Sequence, residues 1–241
     1  MSEALILPFQ SEPQEKILKS NIQDPYWISL LEKATVFNHY DCSKISALVP
    51  IYGRNETLVL RDGKPFISEG TTRATLDRFN QANSFSNYQI LIRTFRQFRL
   101  LPSYKVPVSN LYFSLVPMEA PRHCIWLNTL EVYRLFSKNK RAYCEMIDGS
   151  IIELPVLYRS ALTNLEKAAL FLALYRCEHR FELRKGTHPL DFLDLPDTPM
   201  GRQLSKSTML EKWPIQPGAF RERYEKLKLM DLYNKLDSNA I

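Results

Sequence analysis

Glycine is scarce in this chain. Seven glycines serve 241 residues and no two stand close enough to cradle a phosphate, which excludes the glycine-rich loops of nucleotide-binding sites. Cys42, Cys124, Cys144 and Cys177 are widely separated, with no C-x-x-C pair and no histidine at ligand spacing. A zinc knuckle is excluded, and reduced, mostly buried thiols are expected. His39, His123, His179 and His188 lie in unrelated contexts, none in an H-x-x-x-H or H-x-E arrangement, and no G-x-S-x-G elbow is present. Nothing names a reaction, so the expectation is a protein that is not an enzyme and holds neither cofactor nor metal. Long apolar runs are missing too. The longest, Ala168 to Tyr175, has eight residues, far below the roughly 20 that span a bilayer. The N-terminal run Ala4 to Leu7 follows an acid and is cut by Pro8, which is not a signal peptide. A cytoplasmic protein without a membrane partner is expected.

What is present is the composition of a globular protein, 45% hydrophobic and 24% charged. Residues 1–45 read as an arm, with three prolines and one short amphipathic segment, Tyr26 to Leu31. From Ser46 short apolar runs alternate with turn signals, the pattern of strands. Asp62-Gly63 and Asp148-Gly149-Ser150 separate such runs, and Asp-Gly supplies the positive φ that a tight hairpin requires. A capping box, Thr163-x-x-Glu166, precedes Leu165, Ala168, Ala169, Leu172 and Tyr175 at helical spacing. Past Gly186 five prolines and Asp191, Asp194 and Asp197 read as a linker or loosely attached extension. Phe220, Tyr224 and Leu227 then mark a terminal helix. The expected architecture is α+β: an antiparallel sheet core over 46–183 with flanking helices, an N-terminal arm over 1–45, and a proline-rich linker with a C-terminal helix over 184–241.

Lysine plus arginine exceed aspartate plus glutamate, 32 to 26, for a formal net charge of +6, which suits a polyanionic partner. The excess is concentrated. Between Thr71 and Lys105 stand Arg73, Arg78, Arg93, Arg96, Arg99 and Lys105 against one acid, Asp77. In a helix over 90–100, Leu91, Phe95 and Phe98 share one face, and Arg93, Arg96 and Arg99 fall opposite it within about 120°. Guanidinium binds phosphate in a bidentate way and enters narrow, electronegative minor grooves. Arg134, Lys138, Lys140 and Arg141 form a second cluster at the turn between two predicted strands, where loop tips reach a nucleic-acid backbone. Either cluster also fits an ordinary solvated surface. Tyr112, Phe113, Trp126, Tyr133 and Phe136 lie on predicted strands and are read as core rather than as a stacking platform for single strands. Asp191, Asp194 and Asp197 are read as solvated linker charge; the alternative is an acidic flap over the basic face.

Three segments then carry a family likeness. Lys105-Val106-Pro107-Val108, Leu111-Tyr112-Phe113-Ser114-Leu115-Val116-Pro117 and Cys124-Ile125-Trp126-Leu127-Asn128 resemble the lysine-proline, apolar-aromatic-proline and cysteine-x-tryptophan run of the ComK family of competence transcription factors. Asp148 to Ser160, with its Glu153-Leu154-Pro155 ending and following Tyr158, resembles that family's hairpin and the start of its helix. The likeness covers roughly 46–183. It implies a bacterial DNA-binding activator of competence genes that takes double-stranded A·T-rich boxes largely through the minor groove. It also implies a homo-dimer or higher oligomer, and control by an adaptor of a Clp-type protease. Asn87-Tyr88-Gln89 stands where the family carries a glycine-arginine element, and the chain after Gly186 has no counterpart there. Arg73, Arg93, Arg96, Arg99 and Lys105 are the primary DNA-binding candidates, with Lys138, Lys140 and Arg141 as a second contact. The alternatives are an interaction adaptor that turns its basic face to an acidic protein, and a metal-independent phosphodiester enzyme.

Overall fold

A computed structural model of the chain describes residues 16–19, 22–41, 44–83, 86–98, 104–179 and 186–238. The fold is α+β, as the strand and helix patterns indicate, and it carries two sheets. The larger sheet has seven strands: β2 (Thr35–Val36), β3 (Ile45–Pro50), β4 (Glu56–Arg61), β5 (Lys64–Glu69), β6 (Val108–Ser109), β7 (Ser114–Pro117) and β8 (Trp126–Asn128), in the order β2-β5-β4-β3-β8-β7-β6. The smaller has four: β1 (Ile17–Leu18), β9 (Val132–Lys138), β10 (Arg141–Met146) and β11 (Ile151–Leu154), in the order β1-β11-β10-β9. Most pairings are antiparallel, but β1 on β11 and β2 on β5 are parallel. The N-terminal arm is therefore stitched into both sheets. Between its two strands lies α1 (Pro25–Lys33), started by the Asp24 carboxylate accepting from the Tyr26 amide. Its Trp27 is fully buried and donates from Nε1 to the Lys19 carbonyl at 2.6 Å.

Both Asp-Gly signals form the turns that their chemistry requires. Asp62 and Gly63 take φ of 50° and 70° between β4 and β5, and Gly149 takes 81° between β10 and β11. Every residue of β3 is buried, because both faces of the larger sheet are covered, and a strand covered on both sides reads as a continuous apolar run. Ala47, Val49 and Ile51 face a core shared with the smaller sheet. Ile45 and Leu48 face a second core, built from α2 (Thr72–Ala82), α3 (Tyr88–Gln97) and the aromatic residues Phe113, Trp126 and Phe171. Phe113 and Trp126 are thus core, as expected, whereas Tyr112 and Tyr133 are exposed and Phe136 stacks on Tyr143 at 5.3 Å.

The helix α4 (Tyr158–Glu178) contributes to both cores, with Leu165, Ala168, Ala169 and Leu172 in the first and Phe171 and Leu174 in the second. Two expectations fail around it. Thr163 and Glu166 do not cap it: α4 begins five residues earlier, after Leu157, and the Glu166 carboxylate instead accepts from Ser207 Oγ at 2.8 Å. A helix stabilised by burial on nearly every side starts where packing lets it, not at the nearest capping motif. The segment after Gly186 is also not loosely attached. Phe192, Leu193, Met200, Leu204 and Leu210 are buried in the first core, and the buried Arg176 of α4 donates to the carbonyls of Leu111 and Phe192. The segment holds a short helix, α5 (Pro199–Leu204), and ends in α6 (Ala219–Ser238).

Candidate nucleic-acid interface

The eight cations proposed for DNA separate into four kinds. Arg73 lies on α2, where its Nε donates to Asp77 Oδ2 at 2.7 Å one turn on, and its guanidinium stands 3.9 Å from the centre of the Tyr88 ring. Its side chain is 16% exposed, so it ties α2 to α3 rather than facing solvent. Tyr88 is buried, donates to the Val106 carbonyl at 2.9 Å, and has its hydroxyl pushed far up by burial. Asn87 caps α3 by accepting from the amides of Gln89 and Ile90. The Asn-Tyr-Gln departure from the family pattern thus starts a helix.

Arg93 is the second kind. The expected outward face of α3 is crossed by α6, and Arg93 Nη1 donates to both carboxylate oxygens of Asp231 at 2.6 and 2.8 Å. Tyr224 of α6 accepts from the Asn87 amide through its hydroxyl, and Phe220 packs edge-on against Phe95 at 5.0 Å. Arg93 therefore answers an internal carboxylate, which corrects the reading of three arginines on one open face. Arg96, next along α3, is exposed and has no ion pair or hydrogen bond among the described residues. Arg99 lies outside the described residues.

Lys105 is the third kind, with its ammonium donating to the Met118 carbonyl at 2.5 Å. The fourth is the β9–β10 hairpin. Asn139 and Lys140 take φ of 52° and 64° between the paired Lys138 and Arg141, the two left-handed positions of a two-residue hairpin loop. Asparagine tolerates that region and lysine has no special preference for it. Residues 137 to 141 are all exposed. On the outer face of the sheet Arg134 pairs with Glu145 at 2.5 Å and Arg141 with Glu153 at 2.6 Å. Lys138 and Lys140 at the tip carry no such partner among the described residues. The hairpin is thus neutralised along its length and positively charged at its end.

Asp191, Asp194 and Asp197 have partners outside the candidate cations. Asp191 Oδ2 accepts from the amides of Thr187 and His188, Asp194 pairs with Arg176, and Asp197 pairs with Arg202. Those two amide bonds hold the Asp191 carboxyl below its usual range. Sequence reasoning missed Arg61, buried between Asp41 and the Phe66 ring, and it counted Arg78 in the basic run without foreseeing its bonds to Ser68 and His39. Alternation along β4 and α2 gave no signal for either, since their partners come from the arm and from β5. Among the described residues no three His, Cys, Asp or Glu side chains gather to hold a metal, and no helix is long and apolar enough to cross a membrane. No family model, no curated protein and no solved structure matches the chain.

Proposed function

We propose that the protein is a DNA-binding regulator of the competence-activator kind, and that it presents the β9–β10 hairpin tip to the phosphates of double-stranded A·T-rich DNA. The supporting observation is the pair of ammonium groups, Lys138 and Lys140, without an ion-pair partner among the described residues, at the exposed end of a two-stranded ribbon whose Arg134 and Arg141 are matched by Glu145 and Glu153. A two-stranded ribbon fits a DNA groove. Positive charge at its end, on a chain of net +6, meets phosphate or the strongly negative floor of a narrow A·T-rich minor groove. Arg96 is the remaining open candidate from α3; Arg73, Arg93, Lys105 and Arg141 hold the protein's own groups. The test is fluorescence anisotropy with A·T-rich and G·C-rich duplexes at physiological salt. Tighter binding of the A·T-rich duplex, weakened in Lys138→Ala/Lys140→Ala, is expected; equal affinity for both duplexes contradicts the reading.

A second reading, an adaptor with no affinity for DNA, draws on the Arg93–Asp231 pair, which neutralises part of the largest basic run. It predicts no duplex binding at physiological salt in the same titration.

A further inference from the structure

A cavity between α3, α4 and α6 holds a buried acid among aromatic rings. It measures about 190 Å³, room for a single-ring molecule, since a cavity of roughly 150 Å³ holds benzene. Leu91, Tyr175, Phe220 and Tyr224 line it with apolar and aromatic surface, and Glu178 and His179 bring polar groups to it. Close-packed interiors leave few voids larger than a water molecule. The rings are held in place. The Tyr224 hydroxyl accepts from the Asn87 amide at 2.8 Å, and Tyr175 stacks on His179 at 4.1 Å, with His179 Nδ1 donating to the Tyr175 carbonyl at 2.9 Å.

Glu178 is the charge at depth. It is 8% exposed, accepts through Oε1 from the amides of Gly218 and Phe220 at 3.0 and 3.2 Å, and has no ion-pair partner among the described residues. Arg221 Nη1 donates to the Glu178 backbone carbonyl at 3.2 Å, and Lys228 pairs with Glu225 at 4.0 Å. Arg221, Glu225 and Lys228 are exposed, so water screens them, whereas a charge inside a low-dielectric cavity acts far more strongly. Burial pushes the Glu178 carboxyl up to about 7 against the pull of the neighbouring amides and of Arg221. That is the behaviour of an acid short of positive charge.

We propose that this cavity binds a small organic cation, one aromatic ring carrying an amidinium or ammonium group, with its charge on the Glu178 carboxylate and its ring against Tyr175, Phe220 and Tyr224. A carboxylate has lone pairs for more than the two amides that Glu178 already accepts, and charge-assisted hydrogen bonds are the stronger ones. Aromatic side chains add packing for the ring and attraction for the cation. An anion of the same size meets the buried carboxylate instead and is repelled. The ligand would touch α3, α4 and α6 together, so its binding stabilises the folded chain by mass action.

The site uses none of the hairpin tip, and its test needs no DNA. Benzamidine is the probe and benzoate the control, each titrated into the full chain by isothermal calorimetry. Benzamidine is expected to bind one to one, and benzoate at least about tenfold more weakly. Glu178→Gln keeps the oxygen that accepts from the Gly218 and Phe220 amides, and is expected to weaken benzamidine about tenfold. A pH series supplies the second readout. The titratable and charged groups around Glu178 are Tyr175, Cys177 and His179 from α4 and its end, and Arg221, Tyr224, Glu225 and Lys228 from α6, while α3 presents Leu91. The ionised form of Glu178 takes the cation, so wild-type affinity is expected to rise about tenfold from pH 6 to pH 8 and to stay level in Glu178→Gln. A rise that survives in Glu178→Gln belongs to another group and overturns the proposal. Benzoate binding as tightly as benzamidine overturns it equally, as does a folded chain that takes up neither.

Discussion

Glu178 closes α4 and starts α6 with one carboxylate. Its Oε1 accepts from the amides of Gly218 and Phe220, yet burial outweighs those bonds and pushes its carboxyl up to about 7. An acid whose folded value lies above its unfolded one binds its proton more tightly in the folded state. Its stabilising contribution is therefore complete below the ordinary glutamate range and fades as pH rises toward 7, by at most about 1.4 kcal/mol per pH unit. Glu178→Gln keeps the accepting oxygen and removes the titration. Urea unfolding at pH 5 and pH 7.5 should show the variant gaining stability relative to wild type at the higher pH; a constant difference contradicts this role. The Arg93–Asp231 pair belongs to the same scale. Both side chains are about one-third or more exposed, so a double-mutant cycle with Arg93→Ala and Asp231→Ala should give a coupling of only about 0.5–1 kcal/mol. A coupling near zero would mean that α6 is held to α3 by contacts such as those of Phe220 and Tyr224 alone.

Among the elements, the hairpins were legible and the helix ends were not. Asp62-Gly63 and Asp148-Gly149 encode their turns in two or three adjacent residues, and φ follows directly from the side chain. The start of α4 depends instead on what packs around it, which is why a plausible capping box at Thr163 lies inside the helix. The proline-rich run after Gly186 reads as a linker because its short turns each bury only one or two apolar residues, too few for any periodicity. Gly201 tests how tightly that run is seated. A Cβ there would overlap the Pro196 carbonyl oxygen, so Gly201→Ala should lower stability by about 2 kcal/mol or more, read as a shift in the denaturation midpoint. An unchanged midpoint would restore the loosely attached extension. At the β9–β10 turn Lys140 occupies a left-handed position that costs an L-residue about 1 kcal/mol. Lys140→Gly should therefore stabilise the fold while weakening DNA binding, and a variant that loses both contradicts the assigned turn.

At the scale of the whole molecule, charge counted along the chain proved a poor map of charge on the surface. The run between Thr71 and Lys105 read as open positive charge, but two of its arginines have partners from distant segments: Asp231 lies 138 residues from Arg93, and His39 lies 39 residues from Arg78. Sequence can count a basic run, but which carboxylates fold back onto it is decided by tertiary packing. The cluster at 138–141 fared differently because a hairpin tip is local, and its turn and its exposure follow from neighbouring residues. The salt dependence of A·T-rich duplex affinity tests the DNA-binding account most directly, compared between wild type and Lys138→Ala/Lys140→Ala. Each phosphate that a lysine ceases to neutralise should lower the magnitude of the log–log slope by about 0.9, so the double variant should fall by nearly twice that. A folded variant with an unaltered slope would contradict the account.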